Sequence, residues 1–201
     1  MPDWITYGFI GAAAGPFVMT YVRAATQQEQ PAKCASMPSA AASGFLCTAL
    51  SWVATEAPQE ASALSWFVIF GLLLALIDST VHRLPHRING VLLVGTVVQL
   101  SVLALIQSDF DPLVRAAQAA AAAIAGGLAV YAFARQGLGF GDVVLLAPVA
   151  FVLGWFGWHQ LFAGLMSAFV IAAVSMRVLR SNALALGPFL IAGAVGAILL
   201  T

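Results

Sequence analysis

Long apolar stretches alternate with short polar connections along the whole chain. Each stretch is about 17 to 25 residues long, the length at which an α-helix crosses hydrocarbon about 30 Å thick. The pattern predicts an all-α fold, a polytopic bundle of about eight transmembrane helices that forms one domain over residues 1–201. The predicted spans cover residues 5–23, 39–55, 61–80, 88–107, 113–134, 141–157, 159–178 and 183–200.

Composition supports the same fold class. Of the 201 residues, 62% are hydrophobic and only 8% are charged, which is more apolar surface than a globular core of this size could bury. The longest polar connection, residues 24–43, is the only linker of note. The opening Met1-Pro2-Asp3-Trp4 lacks the basic start of a cleavable signal peptide, so the first span is expected to stay.

The charged residues indicate how the bundle is oriented. Lys and Arg in short connections are retained on the cytoplasmic side of a membrane. Seven of the eight basic residues fall in the first, third, fifth and seventh connections, whereas the remaining connections are acidic and have Arg115 as their only basic residue. We therefore expect a protein of the inner, cytoplasmic membrane with both termini outside. The cytoplasmic connections carry Arg23, Lys33, Arg83, Arg87, Arg135, Arg177 and Arg180, and the outer ones carry Asp3, Glu56, Glu60, Asp109 and Asp111.

Several kinds of partner are not expected. The net charge is zero, so no field would attract nucleic acid. Cys34 and Cys47 are too few for a structural zinc site, which takes four ligands, and both are interpreted as free thiols. His82 and His86 are spaced four apart but lack a third ligand nearby, so we expect them among lipid headgroups. The sequence thus predicts no metal and no cofactor.

Two aspartates are the candidate functional groups. Asp78 closes the third span and Asp142 opens the sixth, so the predicted topology puts both at the cytoplasmic face. A carboxylate beside hydrocarbon costs several kcal/mol unless it faces a polar cavity, which makes a functional site the first hypothesis. If the two meet, they are expected to share one proton. The ionised carboxylate would then take a proton from an attacking water while the protonated one binds the developing oxyanion.

Each aspartate also has an ordinary explanation. Asp142 follows a glycine-rich loop and could be a helix N-cap. Asp78 could pair with Arg83, or with His82 four residues further along one helix face. Both aspartates could instead relay protons or bind a cation in a small transporter. Transporters often contain an inverted repeat, and none is evident in this sequence.

Four segments together resemble the type IV prepilin peptidase family, the membrane aspartic proteases with a Gly-x-Gly-Asp motif. Gly139-Phe140-Gly141-Asp142 is similar to the family's second catalytic motif. Ala75-Leu76-Ile77-Asp78, followed by Arg83-Leu84-Pro85, resembles the first. Gly187-Pro188-Phe189-Leu190 resembles the family's C-terminal Gly-Pro-Phe segment, and the glycine-spaced helix from Gly11 to Arg23 resembles its first span.

The resemblance implies a concrete activity. Members of this family remove the short basic leader from prepilins and pseudopilins at the cytoplasmic face, before the apolar helix of the substrate. The implied partners are that leader, that helix and the membrane lipid, and the oligomeric state stays open. By resemblance, Pro85 ends the helix that carries Asp78. The implied catalytic residues are Asp78 and Asp142, and the implied site-shaping residues are Gly139, Gly141, Pro85, Gly187 and Pro188.

The chain also departs from the family pattern. It lacks the large cytoplasmic insertion with two Cys-x-x-Cys pairs, so we expect neither zinc nor the N-methyltransferase activity associated with that insertion. Val144 stands where a lysine usually follows the second aspartate, and His86 stands where an asparagine often follows the proline. Val144 keeps open a further alternative, an inactive relative that only chaperones pilins.

Three expectations concern packing. Pro188 should remove a hydrogen bond inside the last span and kink it. Trp155, Trp158 and His159 are predicted to form an interfacial aromatic belt. The small residues of the run 116–123, together with the pair Gly11 and Gly15, should let neighbouring helices approach closely.

Overall fold

The computed structural model describes residues 3–29, 39–81, 85–133, 139–179 and 186–199. Within these ranges the chain forms eight α-helices and no strand, which confirms the predicted all-α fold. The helices are α1 (Asp3–Glu29), α2 (Ser39–Glu56), α3 (Ala61–Val81), α4 (His86–Gln107), α5 (Asp111–Phe133), α6 (Phe140–Phe156), α7 (Trp158–Leu179) and α8 (Gly187–Leu199).

Most of these helices suit a membrane. By length and composition, five of those described, α1, α3, α4, α5 and α7, can each cross a bilayer. The apolar helices α6 and α8 are shorter, and α2 does not meet the same criteria of length and composition. The polytopic membrane bundle inferred from hydropathy is therefore the architecture observed, and each predicted span corresponds to one helix.

Helix α6 lies at the centre of the bundle and packs against α4, α5, α7 and α8. Its residues from Leu145 to Trp155 are all buried. A helix enclosed by others must be apolar on every side, which explains the continuous apolar sequence of α6. The enclosure places Asp142, in the first turn, at the mouth of the bundle interior.

Small residues let the helices approach closely, as predicted. A Cβ atom at Gly11 of α1 would lie 2.5 Å from the backbone oxygen of Leu46 in α2. A Cβ atom at Gly154 of α6 would lie 3.0 Å from the Cα atom of Ala116 in α5. Any larger residue at these positions would push the helices apart, so the glycines fix the spacing of α1 with α2 and of α5 with α6.

The connection predicted over residues 24–43 is shorter than expected. Helix α1 continues to Glu29 and α2 begins at Ser39, whereas residues 30–38, including Lys33 and Cys34, lie outside the described ranges. The segment after residue 23 consists mainly of Ala, Gln and Glu, which favour helix. Helix α1 therefore extends beyond its apolar stretch, the point at which the hydropathy pattern ends the span.

Two packing expectations are wrong. Pro188 is the second residue of α8. Backbone N–H groups in the first turn of a helix have no intrahelical acceptor, so a proline there removes no hydrogen bond. Pro188 therefore lies at the start of the helix and does not kink it. Trp155 is only 4% exposed, and its indole Nε1 donates a hydrogen bond to Glu60 3.5 Å away. It belongs to the interior, while the neighbouring Trp158 is 42% exposed.

Arg115 closes the end of α6 that lies away from Asp142. Its guanidinium group donates to the backbone oxygens of Gly154 at 2.9 Å and Trp155 at 2.6 Å. Carbonyl groups in the last turn of a helix have no intrahelical donor, and a cation there also complements the helix dipole. The one basic residue on the predicted outer side thus has a structural role at a helix end.

Candidate functional site

Four helix ends meet at one end of the bundle, which we call the aspartate end: the end of α3 and the starts of α4, α6 and α8. The rings of His86, the first residue of α4, and Phe140, the first residue of α6, are in edge contact at 5.9 Å. Tyr131, near the end of α5, contacts Phe140 from another side at 6.0 Å. These contacts hold the starts of α4 and α6 beside the end of α5.

Asp78 lies in the last turn of α3 and is only 4% exposed. Its Oδ2 atom accepts a hydrogen bond from the backbone N–H of Gly187, 2.9 Å away. Gly187 is the first residue of α8, where backbone N–H groups lack intrahelical acceptors and the helix dipole favours a carboxylate. The start of α8 therefore orients the side chain of Asp78.

The hydrogen bond from Gly187 depends on the absence of a side chain. A Cβ atom built at Gly187 would lie 2.7 Å from Oδ2 of Asp78, closer than such contacts occur. Pro188 follows, and the backbone oxygen of Leu186 accepts from Phe189 and from Leu190, both at 3.1 Å. The Gly-Pro-Phe segment thus forms the first turn of α8 directly against Asp78.

Asp142 stabilises the start of its own helix. Gly139 is the N-cap residue of α6 and Asp142 is the third residue of its first turn. The Asp142 carboxylate accepts from the backbone N–H of Gly139 at 3.1 Å, while the Gly139 oxygen accepts from the Asp142 N–H at 3.0 Å. Asp142 therefore caps the start of α6, as one of its alternative explanations predicted, but from the third helical position and not as the N-cap residue.

The glycines of this loop do not use positive φ. Gly139 is extended, with φ −73° and ψ 145°, and Gly141 lies in the first turn of α6. A Cβ atom at Gly139 would lie 3.0 Å from Oδ2 of Asp142. Gly139 therefore admits the close approach of the Asp142 carboxylate to its backbone, with no need for an unusual backbone conformation.

The carboxyl groups of Asp78, from α3, and Asp142, from α6, come near enough for their charges to interact. Asp142 is partly buried and Asp78 is buried. Two carboxyl groups in one partly desolvated site resist simultaneous ionisation, which is the condition for holding one proton between them.

The other predicted residues lie close by. Pro85 is the N-cap residue of α4, with φ −70° and ψ 112°, and its backbone oxygen accepts from Ile88 and Asn89. It begins α4, and α3 is described as far as Val81; the expectation that Pro85 ends the helix of Asp78 stays a prediction, because residues 82–84 lie outside the described ranges. His82 and Arg83, the alternative partners of Asp78, lie outside the described ranges.

No metal site accompanies the aspartates in the described part of the chain. A cluster of three His, Cys, Asp or Glu side chains with metal-binding geometry does not occur among those residues. His86 contacts the ring of Phe140. The two carboxyl groups at the aspartate end can supply an acid and a base.

An apolar groove of about 460 Å³ runs along α3 and α8 beside the aspartate end. Ser79 and Pro188, the chain neighbours of Asp78 and Gly187, line one end of it. Val68 and Gly196 line the other, about 16 Å away at 1.5 Å per residue of α3. Small side chains such as Ala75 and Ala192 also line the groove, so another helix can approach its floor closely.

Sequence reasoning missed one residue at this end. Asn89 lies in the second turn of α4 and is 2% exposed. The signal was present in its spacing, because Asn89 falls on the same helix face as Leu92 and Thr96, which are also buried. An amide side chain on the buried face of a membrane helix is a candidate for a functional role.

The fold and site together define a helical membrane protein with two aspartates from different helices at one end of the bundle. The family model for the Type IV leader peptidase family matches residues 65–200, which include both aspartates. The chain belongs to this family and is a peptidase by that membership. Comparison with curated proteins gave no match, and comparison with solved structures gave none either.

Proposed function

We propose that this protein is an aspartic endopeptidase that removes the short basic leader from prepilin-like or pseudopilin substrates at the cytoplasmic face of the inner membrane. The observation that carries the proposal is the placement of Asp78, at the end of α3, and Asp142, at the start of α6, at one end of the bundle and near enough for their charges to interact. Family membership supports leader peptidase activity in general, and this carboxyl pair is the group in the described site best suited to activate water.

The proposed reaction uses one ionised and one protonated carboxyl group. The ionised group takes a proton from a water molecule as the water oxygen attacks the scissile carbonyl carbon, and the protonated group donates a hydrogen bond to the carbonyl oxygen. Collapse of the tetrahedral intermediate breaks the C–N bond. The leaving nitrogen receives the proton taken from water, and the pair returns to its singly protonated state.

Fixed geometry supports this role. Asp78 is held by the start of α8 and Asp142 by the start of α6, each through a backbone N–H at 2.9 Å and 3.1 Å. Groups placed in advance of the reaction spend little free energy on reorganisation during it. The ordinary explanation of Asp142 as a helix-capping residue is therefore compatible with catalysis, because the capping contact positions the carboxylate.

The apolar groove supports a substrate with an apolar helix. A leader that is cut just before such a helix must place the helix on a surface continuous with the carboxyl pair. The groove begins at Ser79 and Pro188 and is about 16 Å long, which accommodates about three helical turns. We propose that it receives the first turns of the substrate helix after the cleavage point.

Cleavage of a defined substrate tests the function. The purified protein, in detergent micelles, would be incubated with a full-length prepilin-like protein from the same genome, and the products would be weighed by mass spectrometry. The expected product lacks only the leader and begins at the apolar helix. An unchanged substrate mass with the folded protein would contradict the proposal, and proton or cation flux in liposomes would then favour the transporter.

A further inference from the structure

Asn89 has an unsatisfied polar atom in the interior of the bundle. Its side chain is 2% exposed, and its Oδ1 atom has no hydrogen-bond partner among the described residues. A buried acceptor left unpaired destabilises the fold. By contrast, the buried hydroxyl of Thr96, two turns further along the same face, donates to the backbone oxygen of Leu92 at 2.8 Å. Among the described residues, the fold satisfies the Thr96 hydroxyl but not the Asn89 oxygen.

Asn89 lies at the depth of the aspartates. It is three residues from the start of α4, Asp78 is three residues from the end of α3, and Asp142 is two residues from the start of α6. At 1.5 Å per residue, all three lie within about 5 Å of their helix ends. Helix α4 packs chiefly against α3 and α6, the helices that carry the two aspartates, so its buried face is directed toward the site.

We propose that Asn89 binds the backbone of the substrate beside the scissile bond, with Oδ1 accepting a hydrogen bond from a peptide N–H group. This inference rests on the proposed function. A primary amide offers both an acceptor and donors and so complements a peptide segment that has left its helix to be cut. Such a segment brings unpaired N–H groups into the site and would satisfy the unpartnered oxygen.

If Asn89 only supported the fold, its substitution would lower the melting temperature and leave substrate binding unchanged. A substrate-binding role predicts the opposite result. Asparagine favours helix less than leucine, and an apolar side chain of similar shape removes a buried unpaired acceptor, a change that is neutral or stabilising. Asn89→Leu is therefore expected to keep or raise the melting temperature while it weakens substrate binding. A loss of function combined with a gain of stability separates a substrate-binding residue from one that supports the fold.

The test measures both quantities on the full-length protein. For Asn89→Leu we expect KM for a prepilin-like substrate to rise about fivefold with kcat little changed, because a lost hydrogen bond present in both ground and transition states removes uniform binding. Asn89→Ser keeps an oxygen acceptor and should give a smaller rise in KM. Thermal unfolding of each variant would be followed in the same detergent.

Ser65→Ala is the matched control. The Oγ atom of Ser65 is also buried without a partner among the described residues, but it lies about 20 Å along α3 from Asp78. Its removal should leave KM unchanged. A lower melting temperature with unchanged KM for Asn89→Leu would overturn the inference while native cleavage upheld the proposed function. If the native protein cleaves no substrate, the proposed function and the inference about Asn89 are both contradicted.

Discussion

Asp78 accepts a hydrogen bond from the backbone N–H of Gly187 at 2.9 Å, although 109 positions separate the two residues in sequence. The contact joins the last turn of α3 to the first turn of α8. Because Asp142 is positioned by the start of its own helix, the two carboxyl groups depend on different helix starts. The relative placement of α3, α6 and α8 therefore sets the geometry of the pair.

Gly187→Ala tests this dependence. The new Cβ atom would lie 2.7 Å from Oδ2 of Asp78, and the flexible carboxylate, not the backbone, is the group that can move. We expect the helix bundle to fold while Asp78 is displaced, with kcat for leader cleavage about a hundredfold lower, the scale of loss from misplacing a reacting group by about 1 Å. Steady-state kinetics and thermal unfolding would be measured together.

Gly126→Ala is the control for that substitution. Gly126 lies in α5, and a Cβ atom there meets nothing within 4 Å, so alanine should raise helix propensity and leave cleavage intact. If Gly187→Ala retained native kcat, the start of α8 would not be what orients Asp78.

Substitution of Arg115 should reduce stability without acting on the site. The side chain of Arg115 donates to two backbone oxygens at the end of α6, and hydrogen bonds from charged groups contribute about 1.5–3 kcal/mol. Arg115→Ala is expected to lower the free energy of unfolding by about 2 kcal/mol. Arg115→Lys, which lacks the planar fork, should recover only part of this loss.

The kinetic parameters distinguish that structural role from a catalytic one. At temperatures where Arg115→Ala remains folded, KM and kcat should equal the native values, because Arg115 lies at the end of α6 opposite Asp142. A selective fall in kcat with unchanged unfolding would show that the structural assignment of Arg115 is mistaken.

Filling the apolar groove should affect only substrates that carry an apolar helix. Gly196 lines the groove, and a Cβ atom there meets nothing within 4 Å, so the side chain of Gly196→Leu starts in open space at the groove. We expect KM for a full-length substrate to rise about tenfold, the effect of losing about 1.4 kcal/mol of binding. A short peptide that ends soon after the scissile bond should be cut at the native rate.

Gly126→Leu places the same side chain on α5, away from the groove, and should alter neither reaction. Equal losses for the long and the short substrate in Gly196→Leu would mean that the substitution disturbs the carboxyl pair, and unchanged kinetics for both would mean that the substrate helix lies elsewhere.

The helices and the aspartates could be predicted from local patterns. Apolar stretches of spanning length located all eight helices of the described ranges, since the energetic demand of hydrocarbon acts on each span separately. The same topology placed Asp78 and Asp142 at a common end, where the charge of one acts on the other. Family membership, inferred from motifs around these residues, was confirmed independently over residues 65–200.

Contacts between distant helices could not be predicted in the same way. The hydrogen bond from Gly187 to Asp78, and those from Arg115 to the end of α6, depend on how helices pack. Hydropathy does not encode packing, because apolar side chains suit lipid and protein interior alike. For the same reason Trp155 was assigned to the membrane interface, whereas it is buried against Glu60.

The measurement that tests the central claim most directly compares leader removal by the native protein, Asp78→Asn and Asp142→Asn. Each protein would be co-expressed with one prepilin-like substrate, and the substrate mass and membrane insertion of the enzyme would be recorded. We predict complete leader loss with the native chain and a rate at least about a thousandfold lower with either variant, the contribution expected of paired acid and base groups. Continued cleavage by a folded Asp78→Asn or Asp142→Asn protein would contradict the account.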